Sequence, residues 1–124
     1  MSREIKFRAW DTLTEAWLND KISIALSGAM LFEDKPINLM LGGLEENIMY
    51  MQYTGLKDKN GVEIYEGDIV HTFSEEFEID IVETVRFEKG CFCLDNDTKL
   101  FECAEICEVI GNIYENPELL NNQT

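Results

Sequence analysis

Positive charge is scarce in this sequence: ten Lys and Arg stand against 25 Asp and Glu, a formal net charge of −15. A nucleic-acid binder neutralises phosphates with clustered basic side chains, and no such cluster is present, so direct nucleic-acid binding ranks low among the expected functions. Long apolar runs are missing too. The longest weakly charged stretch, Ile22 to Phe32, is interrupted by Ser23, Ser27 and Gly28 and is far shorter than a membrane-spanning helix. The opening residues Met1 to Arg8 interleave charged and apolar side chains, unlike the continuous apolar segment of a secretory leader. These absences predict a soluble protein of the cytoplasm, with no membrane association. In that compartment structural disulfides are not expected.

Catalytic signatures are equally thin. His71 is the single histidine, and a general base also needs a nucleophile or acid placed beside it. The G-x-S-x-G, P-loop and H-E-x-x-H patterns do not occur. Carboxylates are so numerous that no pair stands out as an acid–base couple. The sequence therefore predicts no enzyme, no catalytic residues and no cofactor.

What is present is one domain's worth of chain. Its 124 residues are 45% hydrophobic, enough to bury about two-thirds of the unfolded surface without staples. Charge is divided unevenly: residues 1–59 carry 7 basic and 9 acidic groups, whereas residues 60–124 carry 3 basic and 16 acidic. The plain interpretation is a solubilising surface. The sharper one is an acidic face that attracts a basic partner or imitates a nucleic acid.

Strand patterns dominate. Ile5 to Trp10 alternates apolar and polar residues, Asp11 to Glu15 supplies turn chemistry, and Ala16-Trp17-Leu18 resumes an apolar run, together predicting a hairpin in which Trp10 and Trp17 pair or cover the core. Ile22, Ile24 and Leu26 alternate like a strand. Pro36 to Gly43 fits loop or strand, and Leu44 to Met51 fits a short helix or a strand. Further on, Asn60-Gly61 suits a type I′ hairpin turn leading into Val62 to Tyr65. Glu66-Gly67-Asp68 then links to the strand-rich Ile69 to Phe73. In Ile79 to Phe87, the residues Ile79, Ile81, Glu83, Val85 and Phe87 fall on one face. Glu88-Lys89-Gly90 turns the chain into Cys91 to Leu94, and Asp95-Asn96-Asp97 turns it towards Lys99-Leu100-Phe101. An apolar run from Ile106 to Ile110 follows. Asn116-Pro117 then has the form of a helix cap and first turn.

The expected fold is mainly β, with a β-rich α+β arrangement as the alternative. It comprises a small SH3-like barrel core from about Gln52 to Tyr114, an N-terminal hairpin region and a short C-terminal helical turn. Residues 1–50 form the hairpin and a variable region, and residues 51–120 the barrel-like core and tail, of a single domain.

Cys91, Cys93, Cys103 and Cys107 are the one metal-like constellation. Their C-x-C and C-x3-C spacings depart from the paired C-x2–4-C of zinc sites, and cysteine also serves as a small buried hydrophobe, so no metal is assigned. The candidate interaction loop is Tyr53, Thr54, Gly55, Leu56, Lys57, Asp58, Lys59, Asn60 and Gly61. Every residue in it has a turn or strand rationale, yet Lys57 and Lys59 are rare cations able to meet acidic surface on another copy of the chain.

Three segments carry a resemblance. They are Arg3-Glu4-Ile5-Lys6-Phe7-Arg8-Ala9-Trp10-Asp11, the run Met51 to Val70 containing Tyr53-Thr54-Gly55-Leu56-Lys57-Asp58 and Asn60-Gly61-Val62-Glu63-Ile64-Tyr65-Glu66-Gly67-Asp68, and Val109 to Leu120. In order and spacing they resemble the YopX family of phage and prophage proteins. The resemblance implies a β-rich protein of a phage or prophage, working in the bacterial host cell. It brings no reaction and no site residues. The expected function is a non-enzymatic protein–protein interaction module that self-associates into a homo-oligomer. The alternative is an acidic nucleic-acid mimic inhibiting a basic, DNA-binding host protein, and a nucleic-acid-binding accessory role comes third.

Overall fold

The computed structural model describes residues 5–19, 22–24, 30–32, 35–36 and 47–121. Leu26, Ile37 to Gly43 and Leu44 to Glu46 lie outside the described residues. The chain falls into two compact units, Ile5–Gln52 and a second from Tyr53 onward.

In the N-terminal unit β1 (Phe7–Asp11) and β2 (Ala16–Trp17) form the expected hairpin, with Trp10 opposite Trp17. Asp11 Oδ1 accepts the amides of Leu13 at 2.9 Å and Thr14 at 3.3 Å, the local capping that makes Asp a turn former. The indoles meet edge to face with centroids 4.9 Å apart, so Trp10 and Trp17 pair across the hairpin. Three short strands, β3 (Ile22–Ile24), β4 (Met30–Phe32) and β5 (Lys35–Pro36), make an antiparallel sheet in that order. The stretch from Ile48 resolves as strand rather than helix: β6 (Ile48–Lys57) pairs its first half with β1.

The C-terminal unit takes the second half of β6 and adds β7 (Glu63–Tyr65), β8 (Asp68–Ser74), β9 (Ile79–Thr84), β10 (Arg86–Glu88) and β11 (Cys91–Cys93). Then come α1 (Leu100–Cys103), a 3₁₀ turn (Ala104–Ile106), β12 (Cys107–Asn112) and α2 (Glu118–Asn121). β12, β8 and β9 form one antiparallel sheet, β6 pairs with β7, and β10 with β11. These strands curl round a single core of Ile64, Val70, Val85, Phe92, Leu94, Leu100, Ala104 and Cys107. Burying each large aliphatic side chain contributes about 1.5–3 kcal/mol. The mainly β class expected from the sequence is the class the chain adopts, and α2 is the expected C-terminal helical turn.

One turn differs from expectation. A type I′ turn needs positive φ at both central residues, and at Asn60-Gly61 only Gly61 has it (φ +82°). The loop instead spans Lys59 to Gly61, closed by Gly61 N–H donating to Asp58 O at 3.0 Å and Asp58 N–H donating to Val62 O at 2.8 Å. That is a three-residue turn with glycine in the left-handed position. Paired positive φ values occur at Lys89 (+54°) and Gly90 (+77°), between the paired Glu88 and Cys91. The two-residue turn is therefore there.

The expected continuous strand from Ile79 to Phe87 breaks at Val85. Its amide donates to Asp68 O and its carbonyl accepts from Gly67 N–H, both at 2.9 Å. α1 was not anticipated, because Leu100 and Ala104 bury into the core from a single turn too short to show helical periodicity.

Candidate functional site

Within Tyr53–Gly61, Tyr53 to Lys57 belong to β6, and Asp58 to Gly61 form a corner clasped to β12 by the Asp58 side chain. Asp58 is 6% exposed. Its Oδ1 accepts the amides of Asn60 at 2.8 Å and Val62 at 2.9 Å, and its Oδ2 accepts Val109 N–H at 2.9 Å. Lys59 N–H adds a bond to Cys107 O at 3.0 Å. Burial acts to raise the Asp58 pKa, but the three amide donors, with Lys59 nearby, outweigh it and hold the carboxyl below its ordinary value. Tyr53 and Thr54 are buried, and Gly55 and Leu56 half-buried. Thr54 Oγ1 donates to Ile64 O at 2.7 Å. Lys57, Lys59, Asn60 and Gly61 are exposed. Lys59 Nζ lies 3.7 Å from Glu108 Oε2, so of the two lysines singled out, Lys59 has an acidic neighbour within its own unit.

The four cysteines divide between two places: Cys103 lies with Cys107, and Cys91 with Cys93 in a recess shared with Glu88 and Asp97. Cys107 is fully buried, with its Sγ 3.8 Å from Cys103 Sγ and 3.3 Å from Thr72 Oγ1. Hydrogen bonding from Cys103 holds Cys107 down to about 7 against the opposing effect of burial, with Thr72 assisting. The same sulfur–sulfur contact, with burial, pushes Cys103 up. Cys93 groups instead with Glu88 and Asp97, their ligand atoms all within 4.8 Å of one another, the one such group among the described residues. Arg86 already serves those carboxylates, at 2.9 Å from Glu88 and 3.9 Å from Asp97, and also reaches Asp95 at 3.3 Å. Among the described residues, therefore, the four thiols do not converge on a common point.

His71 Nε2 sits 2.7 Å from Asp80 Oδ1, and its ring lies 6.1 Å from that of Phe73. This places His71 and Phe73 on one face of β8, as the strand alternation predicts.

The opposite face holds what sequence reasoning passed over. A cavity of about 360 Å³ is lined by Glu83, Thr72, Asn96, Thr98 and Cys103, with Ile79, Ile81 and Leu94 as its apolar wall. Glu78 also reaches it, Asp80 borders it with its carboxylate turned to His71 on the other face, and no Lys or Arg of the described residues reaches it. Glu83 is 3% exposed. Its Oε2 accepts Asn96 N–H at 2.9 Å, and Oε1 receives no hydrogen bond from the described residues. Burial pushes its pKa up, only partly offset by that one amide, and the Asp95 charge adds to the rise. The signal was available in the sequence: Glu83 is the charged residue on the apolar face Ile79, Ile81, Val85, Phe87. In the sequence it stands as one carboxylate among many.

No helix of the described residues is long and apolar enough to cross a membrane. A comparison with curated proteins found no match to this chain. Among solved structures, the chain is similar to protein EF1440 from Enterococcus faecalis, at 29% identity and a TM-score of 0.64, covering 96% of this chain and 99% of that one. It is also similar to protein yopX from Bacillus subtilis, at 25% identity and a TM-score of 0.54, covering 95% and 98%. The family model described as YopX protein matches residues 6–121, nearly the whole sequence, and its strand-rich central stretch is the segment whose turns and clasps are described above. This chain belongs to the YopX family.

Proposed function

We propose that the protein is a non-enzymatic protein–protein interaction module that self-associates, in the cytoplasm of a bacterial cell carrying a phage or prophage. The observation that carries this reading is the exposure of phenylalanine. Phe73 and Phe77 are 44% and 68% exposed, at the end of β8 and in the β8–β9 loop, and Phe87 and Phe101 are exposed as well. Four of seven phenylalanines in water cost a monomer apolar burial, and aromatic residues are enriched at interface cores. The corner at Lys57 to Gly61, held rigid by Asp58, supplies a cationic lip that suits the acidic surface of another copy. Support for a non-enzymatic role comes from His71, which pairs with the exposed Asp80 carboxylate rather than with a nucleophile.

Light scattering coupled to size exclusion tests the reading. The wild-type chain is expected to elute as an oligomer, and the double change Phe73→Ser/Phe77→Ser to weaken association by about tenfold or more. A strict monomer at high concentration, or a double variant indistinguishable from wild type, would refute it.

A further inference from the structure

In the C-terminal unit one carboxylate is buried with a single donor and a cavity in front of it. We propose that the cavity lined by Glu83 is a receptor for an arginine side chain carried by a basic partner protein. The inference goes beyond self-association, which concerns the exposed phenylalanines.

Three observations point to this occupant. Glu83 is 3% exposed and the one hydrogen bond it accepts from the described residues, from Asn96 N–H, goes to Oε2, which leaves Oε1 open to a donor entering the cavity. Glu78 lines the same cavity beside Glu83 and no basic residue of the described residues does, so its field selects for a cation. Arg86, the nearest cation in sequence, is engaged by Glu88, Asp95 and Asp97.

The shape favours arginine in particular. Ile79, Ile81 and Leu94 offer apolar wall to the three methylenes, and Glu83 Oε1 offers an acceptor to the guanidinium fork. A volume of about 360 Å³ lies at the small end of ligand sites, ~300–1,000 Å³, ample for one side chain. The net charge of −15 draws a basic partner and repels an acidic one.

The test uses the full chain and small probes, so its outcome does not depend on whether the chain self-associates. N-acetyl-arginine amide is titrated while the backbone NMR signals of Asn96 and Thr98 are followed, with the uncharged N-acetyl-citrulline amide as control. A saturable shift with arginine, absent with citrulline and at least about tenfold weaker in Glu83→Gln, is expected. Equal response to citrulline, an unaffected Glu83→Gln, or no saturable shift would overturn the site. Cys103, which lines the cavity, gives a second readout: its reaction with a thiol reagent should slow when arginine is bound. A peptide Gly-Lys-Arg-Lys-Gly is expected to bind more tightly than the amide. If the amide binds and the peptide does not, the occupant is a free small molecule and the proposal of a protein partner falls.

Discussion

Glu83 and Asp58 are both buried acids of the C-terminal unit, and they differ in how many amides reach them. Asp58 collects three and is held below its ordinary pKa, whereas Glu83 collects one and is pushed above its ordinary 4.5. The linkage signs follow from that contrast. A carboxyl with a raised folded pKa binds more protons folded than unfolded. The stability it contributes is present at low pH and is lost as pH rises from about 4.5 through the folded value. Glu83→Gln removes that loss while keeping an oxygen for Asn96 N–H. Its melting temperature should therefore match or trail wild type near pH 4 and exceed it near pH 7. A difference that stays constant with pH would show that Glu83 carries no such burden.

At the scale of elements, the β6–β7 loop and β12 act as one structure because Asp58 bridges them. Asp58→Ala orphans Val109 N–H and Val62 N–H and is expected to cost about 2–4 kcal/mol, measured by urea unfolding. The Asp58 contribution is present above its ordinary 3.8 and fades as pH falls through the lower folded value. The deficit of the variant should accordingly shrink in acid. A loss below about 0.5 kcal/mol would mean that water replaces the carboxylate. Hairpins were legible in the sequence where turn residues are local: Asp11 caps its own turn, and Lys89-Gly90 closes β10–β11. Asn60-Gly61 misled because Asp58 engages Asn60, Val62 and distant Val109 together. The resulting three-residue loop leaves only Gly61 with positive φ.

For the whole molecule, charge and apolar exposure compete. Each copy would bring a net −15 to the proposed phenylalanine-mediated association, and two exposed lysines at one corner offset little of that repulsion. Salt should therefore strengthen self-association between about 50 and 500 mM by shortening the Debye length, as sedimentation at several concentrations would reveal. Weakening with salt would move the contact to ion pairs at Lys57 and Lys59. By itself the sequence determined the mainly β class, the Trp10–Trp17 hairpin, the C-terminal turn and the family. Those depend on alternation, turn residues and order along the chain, all of which are local or linear. Only the tertiary structure decided that Asp58 clasps β12, that the four cysteines part into two places, and that Glu83 faces a cavity with one oxygen unclaimed. Each of these brings together residues distant in sequence, and the fate of a buried charge depends on which donors the fold carries to it.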